Sequence, residues 1–145
     1  MVMNPALELR ALRGATTASA NTSEAISEAV SELIETLVRD NALEGSQLLS
    51  VTFSVTADLD ACFPAAIARR RSDWDAVALL DCQQMAVEGD LPRCIRLLAH
   101  AWMEAPRALV HPYLREASRL RPDRARQRSC DESMTTNPTS CPADH

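Results

Sequence analysis

The sequence predicts an α+β (mixed α/β) domain with about five strands and one long helix. Three patterns carry this prediction. The segment Gln47 to Thr56 alternates apolar with polar residues from Leu49 onward, as a strand with one buried face does. Asn21 to Asp40 has apolar residues at helical spacing, and Ala76 to Leu80 is an unbroken apolar run of strand length. Elements of these kinds pack as helices against a sheet.

The N-terminal part of the chain supplies the first strand and the cap of the long helix. Leu7 to Arg13 begins with alternating apolar and charged residues, which predicts a strand. Asn21 is predicted to cap the helix, with Glu24 as its capping-box partner three residues later. The polar face of this helix is predicted to be solvated, and it carries Glu24, Glu28, Glu32, Glu35 and Arg39.

The middle of the chain predicts a short helix followed by a buried strand. Phe63 opens the helix, with Pro64 at the first position, where an amide hydrogen is not needed. The helix is expected to end in Arg69 to Arg71, whose side chains complement the helix dipole and stay solvated. Ala76 to Leu80, being apolar throughout, is expected to be buried on both faces.

Arg93 to Met103 is predicted as a further strand, although its length leaves a helix open as the alternative. In a strand, successive side chains point to opposite faces of the sheet. One face would then carry Arg96 with Cys94, Leu98 and His100, and the other face would carry Ile95 and Leu97.

The C-terminal part predicts one last strand, Tyr113 to Leu120, and then a tail. After Asp123 the apolar periodicity is lost, and small polar residues and prolines dominate. We therefore expect one domain over residues 5–123 and a disordered tail over residues 124–145. Five strands beside one long helix would leave part of the sheet uncovered, and symmetric association of several chains would cover it.

The composition argues against several classes of function. The 145 residues carry a formal net charge of −5, and every basic residue is an arginine. An acidic chain with 3% aromatic residues lacks the basic face and the stacking platform of a nucleic-acid binder. No apolar run approaches the ~20 residues of a membrane span, and the start lacks the pattern of a secretion signal. We expect a cytoplasmic protein with neither a nucleic acid nor a membrane as partner.

The cysteines predict no metal site. The chain has five of them and no CxxC pair, although zinc sites usually draw on closely spaced ligands. Reduced thiols, buried in the core or free in the tail, are the simpler interpretation. These residues are Cys62, Cys82, Cys94, Cys130 and Cys141.

Arginines set against apolar sequence are the main candidates for a site. No GxGxxG, P-loop, HExxH or GxSxG motif is present. Arg13 ends a predicted strand, and Arg96 lies inside the apolar run Cys94 to Leu98. A half-buried guanidinium needs an anion, either an internal carboxylate such as Glu8 or Asp90, or the carboxylate of a substrate. The residue types alone leave these two alternatives equal.

Four groups of segments carry a more specific pattern. They are Arg13 to Thr17; Val55 to Leu59 with Phe63 to Ala65; Gly89 to Arg96; and Tyr113-Leu114 with Leu120 to Asp123. In order and spacing they resemble the trimeric, Bacillus-type chorismate mutase family. The resemblance runs from about Leu9 to Asp123, and four motifs in register are specific where any one alone would be weak.

The resemblance implies a homotrimer with a barrel-like core of packed sheets and with active sites in clefts between neighbouring subunits. Members of the family convert chorismate, a dicarboxylate, to prephenate on the route to phenylalanine and tyrosine. The reaction is a pericyclic Claisen rearrangement that needs no cofactor, metal or covalent intermediate. The implied function is therefore that of an isomerase, which works by conformational restriction and by charge complementary to the transition state.

The resemblance also implies roles for individual residues. Arg96 would stabilise the negative charge that grows on the ether oxygen, while Arg13 and Tyr113 would hold the side-chain carboxylate. Phe63 and Arg69 would come from the neighbouring subunit, as a wall and a basic rim. The implied substrate-binding residues are Arg13, Phe63, Arg69, Leu80, Asp81, Cys82, Gln83, Gln84, Arg96, Tyr113, Leu120 and Arg121, of which Arg13, Asp81, Gln84 and Arg96 are the catalytic candidates.

Gln84 departs from the family pattern. It stands where well-known members have a glutamate that contacts the substrate hydroxyl and opposes positive charge on the ring. Gln84 keeps a hydrogen bond but lacks the charge. Our hypothesis is that Asp81, three residues earlier, supplies the carboxylate instead, with a solvated loop aspartate as the equal alternative. The departure also supports a rival function, that of a catalytically weak or inactive trimeric protein of this fold that binds a ligand or regulates.

Overall fold

A four-stranded mixed sheet forms the centre of the molecule. The computed structural model describes residues 6–105 and 107–123. The strands, β1 (Leu7–Thr17), β2 (Leu48–Val55), β3 (Ala78–Gln83) and β4 (Cys94–Glu104), lie in the order β1-β4-β2-β3. Strand β4 is antiparallel to β1 and β2, whereas β2 and β3 are parallel. The predicted α+β class is confirmed, with four strands among the described residues rather than about five.

Helices cover one face of this sheet, which we call the inner face. Helix α1 (Ser23–Asn41) and the short helix α2 (Pro64–Ala68) bury their apolar residues there. Three short 3₁₀ turns lie at Gly45–Gln47, Ser72–Trp74 and Arg115–Arg119. As predicted, Pro64 stands in the first turn of α2. None of the described helices is long and apolar enough to cross a membrane.

The predicted domain of residues 5–123 is described except at positions 5 and 106. The tail predicted over residues 124–145 lies outside the described residues, and so do Cys130 and Cys141. The described residues share one sheet and one main core cluster.

The N-terminal cap of α1 is Thr22 and not the predicted Asn21. The Thr22 side-chain oxygen accepts a hydrogen bond from the backbone N–H of Ala25 at 3.1 Å. Asn21 instead holds a neighbouring loop, because its Oδ1 accepts hydrogen bonds from the backbone N–H groups of Asp60 and Ala61. Both residue types cap helices well, so the sequence could not decide between adjacent candidates.

Strand β4 shows how the two faces of the sheet differ. Its inner-face residues are buried, and they are Ile95, Leu97, Ala99, Ala101 and Met103. On the opposite face, which we call the outer face, Leu98 is 40% and Trp102 is 42% exposed. Arg96 shares this outer face, as predicted, and the helical alternative for the segment is wrong.

A β-bulge near the start of β2 changes which leucine enters the core. The pairing of β2 with β4 shifts between Leu48 and Ser50. Leu48 is therefore buried, whereas Leu49, which the alternation grouped with Val51 and Phe53, is exposed. A bulge adds one residue to one strand and reverses the faces beyond it.

Strand β3 is an edge strand, and the expectation that Ala76 to Leu80 is buried on both faces is wrong. Leu79 packs against the core, but Leu80 is 59% exposed on the outer face. Among the described strands, β3 pairs with β2 alone and lies at the end of the sheet. An apolar run predicts burial without showing whether the same chain provides the cover.

The predicted last strand, Tyr113 to Leu120, is not a strand. Tyr113 makes a single parallel bridge to Ala15, after which Arg115–Arg119 form a 3₁₀ turn. Arg115 has a left-handed backbone with φ of 52°, which ends the extended conformation. Residues 111–121, which we call the C-terminal wall, therefore lie along the free edge of β1 without extending the sheet.

The polar face of α1 is not merely solvated, which corrects another expectation. Arg115 of the C-terminal wall lies 3.4 Å from Glu28 and 3.3 Å from Glu32. Arg71, one of the arginines expected to stay solvated, forms an ion pair with Glu35 of α1. The acidic residues of α1 thus attach two neighbouring segments to the helix.

Candidate active site

A cleft of about 210 Å³ opens between the C-terminal wall and the outer face of β1 and β4. Its lining is formed by Arg13, Gly14, Arg96, Leu97, Tyr113, Leu120 and Arg121. All of these except Gly14 and Leu97 were predicted as substrate-binding residues, from positions far apart in the sequence. The structure therefore brings the predicted arginines and the predicted tyrosine together.

The register of the sheet places Arg13 and Arg96 on the same face. In the antiparallel ladder of β1 and β4, Arg13 pairs with Leu98 and Ala15 pairs with Arg96. Paired residues share a face, so both arginines project outward from neighbouring strands, in a diagonal relationship. Like charges on one face of neighbouring strands repel each other, and an anion between them relieves the repulsion. The arrangement therefore favours a negatively charged ligand.

Gly14 allows the C-terminal wall to approach β1. A Cβ atom at this position would lie only 3.1 Å from the carbonyl oxygen of Pro112. The wall is held by backbone hydrogen bonds from Ala15 N to Pro112 O at 2.9 Å and from Leu114 N to Ala15 O at 2.8 Å. These contacts place Tyr113 at the cleft, with its ring largely buried against Ala15.

The guanidinium of Arg96 has an internal carboxylate partner. Its Nη2 donates a hydrogen bond to Asp90 Oδ1 at 3.0 Å, and the two side chains are only 25% and 21% exposed. Glu8, the other internal partner considered from the sequence, lies 3.3 Å from Arg10 instead. Arg96 thus pairs with Asp90 and lines the cleft at the same time.

The thiol of Cys94 is buried beside the same guanidinium. Burial raises the pKa of Cys94 above the ordinary value of 9.0, and the Arg96 guanidinium partly offsets this rise. The thiol is therefore neutral at pH 7, and a neutral buried thiol is a poor nucleophile. The negative charge next to Arg96 comes from Asp90.

Arg121 lies at the rim of the cleft. Its Nε and Nη2 donate hydrogen bonds to the carboxylate of Asp123, at 3.2 and 3.0 Å. These bonds and the charge of Asp123 raise the pKa of Arg121, with a smaller contribution from Tyr113. The pair is accessible to solvent, where an ion pair contributes little and can exchange partners.

Gln84 and Asp81 lie on opposite faces of the sheet. Gln84 Oε1 accepts a 2.6 Å hydrogen bond from the hydroxyl of Ser54, and Ser54 pairs with Arg96 in the ladder of β2 and β4. Asp81 shares the inner side with buried residues, and its Oδ1 accepts a hydrogen bond from Ala65 N at 3.0 Å, at the start of α2. Within one chain, the outer face that carries Arg96 therefore receives Gln84 but not Asp81.

Neither Gln84 nor the remaining predicted residues line this cleft in a single chain. Leu80 and Cys82 project from the outer face of β3, at the far edge of the sheet, and Gln83 ends that strand. Phe63 precedes α2 and is 70% exposed, and Arg69 follows α2 and is also exposed.

Two residues at the site were not predicted to act there. Ser54 was not singled out, although its alternation with buried Phe53 places it on the outer face. Asp90 was considered only as an internal carboxylate that could pair with Arg96 in place of a substrate. It lies in a loop, and no periodicity predicts the path of a loop. Within the two described ranges, no group of three or more His, Cys, Asp or Glu side chains could hold a metal ion.

Comparison with known proteins gives one consistent result. A family model described as chorismate mutase type I matches residues 9–124. The chorismate mutase AroH of Thermus thermophilus is 43% identical over 117 residues, which cover 79% of this chain and 95% of that protein. The AroH of Bacillus subtilis (strain 168) is 34% identical over 116 residues, with 79% and 91% covered. A solved chorismate mutase from Clostridium thermocellum has a TM-score of 0.71 and 37% identity, over 75% of this chain and 97% of that one.

Proposed function

Because the chain belongs to the chorismate mutase type I family, and is therefore a chorismate mutase, we propose that it rearranges chorismate to prephenate in the cleft beside the C-terminal wall. The observation that carries this proposal is the convergence of Arg13, Arg96, Tyr113 and Arg121 on one small cleft. These residues come from β1, from β4 and from the C-terminal wall, and the cleft they form suits a dicarboxylate.

The reaction asks little covalent chemistry of the protein. Within one substrate molecule a C–O bond breaks while a C–C bond forms, so no proton, electron or group passes to a side chain. The protein contributes by holding the folded conformer and by stabilising the charge that develops on the way to the transition state. Arginine suits both tasks, because its planar guanidinium donates parallel hydrogen bonds to a carboxylate and stays charged.

Arg96 is assigned to the breaking C–O bond. It projects from the outer face of β4 into the cleft, where water is partly excluded and electrostatic interactions are stronger than in bulk solvent. A preorganised donor at a developing oxyanion typically contributes ~3–4 kcal/mol of transition-state stabilisation. Arg13 and Tyr113 are assigned to the side-chain carboxylate, and Arg121 to the entrance of the cleft.

We further propose that the chain forms a homotrimer whose active sites lie between neighbouring subunits. The exposed apolar residues of the outer face support this proposal, because the described part of the chain leaves Leu80, Leu98 and Trp102 uncovered. Phe63 and Arg69 are exposed beside α2, away from the cleft of their own chain. In a trimer they are available to the cleft of a neighbour.

The first test follows the absorbance of chorismate with purified protein. Wild type is expected to consume chorismate, and Arg96→Ala is expected to lower kcat by roughly 10²- to 10³-fold. Arg39→Ala is the matched control, because Arg39 is exposed on α1 and pairs with neighbouring Asp40. No consumption by wild type would reject the enzyme function, and equal rates for wild type and Arg96→Ala would reject the assignment of Arg96.

A second test concerns the carboxylate that Gln84 lacks. If Asp81 supplies the charge, Asp81→Asn should lower kcat at least about tenfold, and adding Gln84→Glu should restore part of it. The asparagine keeps an oxygen for Ala65 N, so the start of α2 is preserved. Full turnover by Asp81→Asn would show that Asp81 plays no such part.

A further inference from the structure

Asp90 contacts the cleft arginine, yet the family resemblance assigns it no role. We propose that Asp90 is a positioning residue, which holds the guanidinium of Arg96 in the orientation that the reaction needs. The inference rests on the proposed function, because Asp90 acts only through Arg96. The sequence left either an internal carboxylate or a substrate carboxylate as the partner of Arg96. Under this proposal Arg96 binds both, Asp90 permanently and the substrate during turnover.

The geometry of the pair leaves Arg96 able to bind a substrate. One hydrogen bond joins Arg96 Nη2 to Asp90 Oδ1 at 3.0 Å. A guanidinium has five N–H groups, so a single bond to Asp90 leaves donors for a second acceptor. Arg96 also lines the cleft, so the pairing with Asp90 does not withdraw it from that surface.

The carboxylate of Asp90 is itself fixed in place. Its Oδ1 also accepts a hydrogen bond from the backbone N–H of Leu91 at 2.8 Å. The backbone of Asp90 donates to the carbonyl of Val87 at 3.1 Å, which closes a turn. Gly89 occupies this turn with φ of 81°, a conformation that favours glycine. Asp90 is therefore an anchor with a defined direction and not a mobile surface charge.

The surroundings of Arg96 explain why such an anchor is needed. An arginine side chain loses rotamer entropy when it is fixed, so a partner must hold it. Arg13 projects from the same face of the neighbouring strand but carries the same charge, so it cannot serve as that partner. The thiol of Cys94 on its other side is neutral. Among the described residues, Asp90 is the carboxylate that forms an ion pair with Arg96.

The test compares substitutions at position 90 by kcat and KM separately. Asp90→Ala should lower kcat by roughly tenfold or more, because a charge-assisted hydrogen bond is lost, while KM changes less than about threefold. Asp90→Asn should restore most of the lost kcat, because its side-chain oxygen still accepts from Arg96. Glu88→Ala is the matched control, since Glu88 is an exposed carboxylate of the same loop, and its kcat should equal that of wild type.

Asp90→Ser separates the role in the turn from the role at Arg96. Serine is a common turn residue with a short polar side chain, so it suits this position, but its hydroxyl is too short to reach the guanidinium of Arg96. This variant should melt like wild type and still show the low kcat of Asp90→Ala. It keeps the proposal testable if Asp90→Ala does not fold.

A double-mutant cycle shows whether Asp90 acts through Arg96. In an Arg96→Ala background, Asp90→Ser should cause no further loss of kcat, because no guanidinium remains to be positioned. An equal loss in both backgrounds, or wild-type kcat for Asp90→Ser, would overturn the inference. If Arg96→Ala itself keeps full turnover, the assignment of Arg96 fails instead, so the two failures are distinct.

Discussion

The two faces of the central sheet are built from the same four strands, but they differ in what completes them. On the inner face, Leu12, Val51, Phe53 and Ile95 are fully buried beneath helices of the same chain. On the outer face, apolar side chains such as Trp102 are half exposed, and the arginines of the cleft project between them.

Residues that stabilise the fold therefore alternate along each strand with residues that serve association or the site. Because successive residues point to opposite faces, Phe53 lies in the core while its neighbour Ser54 bonds to Gln84 on the outer face. A substitution on the inner face should change the free energy of unfolding. A substitution on the outer face should change association or turnover, with the fold retained.

The largest expected effect is on the inner face. Phe53→Ala removes a fully buried ring and should lower the free energy of unfolding by about 3–5 kcal/mol, as measured by urea denaturation. Ser54→Ala, one residue away, should lower it by about 1 kcal/mol. Equal losses at the two positions would show that the faces do not differ in this way.

The next effect is on association. Leu98→Asp places a charge on the outer face, where Leu98 is 40% exposed in one chain. If this face is the trimer interface, each subunit loses about 1 kcal/mol of apolar burial, because only the exposed 40% of Leu98 remains to be covered, and it gains a charge to desolvate. Light scattering should show a monomer mass, while circular dichroism stays like wild type. An unchanged mass would place the interface elsewhere.

A smaller effect, of opposite sign, is expected at Thr16. Its hydroxyl is buried and has no hydrogen-bond partner among the described residues. Thr16→Val replaces the hydroxyl with a methyl group of similar size and should raise the free energy of unfolding by about 1 kcal/mol. A loss of stability in thermal melts would show that the hydroxyl has a partner in solution.

The smallest expected effect is on the melting temperature at alkaline pH. The pKa of Cys94 is raised by burial above 9.0, so the folded state favours the neutral thiol. The resulting stabilisation is complete below about pH 9 and is lost as the pH rises through the folded-state pKa. Cys94→Ala removes this dependence, so its melting temperature should fall less steeply than that of wild type above about pH 9.

Regular periodicity explains which parts of the fold could be predicted. The faces of β4 and the start of α2 follow from alternation and from a single proline, both of which are local. The bulge at Leu48 and the end of the extended segment at Arg115 could not be predicted, because each is decided by pairing with distant residues. The burial of β3 was misjudged since the described residues leave its outer face uncovered.

The residues of the site also fall into those that the sequence could predict and those that it could not. Arg13 and Arg96 could be proposed because charged residues inside apolar runs are conspicuous, and the family motifs assigned them roles. Asp90 and Ser54 could not, since their importance follows from contacts with Arg96 and Gln84 that only the folded chain creates.

The position of β1 at the edge of the sheet, paired with β4, also has a consequence for the newly made chain. During synthesis β1 leaves the ribosome well before its partner strand, which spans residues 94–104. At about 5–20 residues per second, the first strand waits several seconds without its partner. Helix α1 relies on nearby residues and can form in the meantime. The two cleft arginines therefore meet only as the last strand arrives, so a chain that stops before β4 has neither the complete sheet nor a place for a substrate.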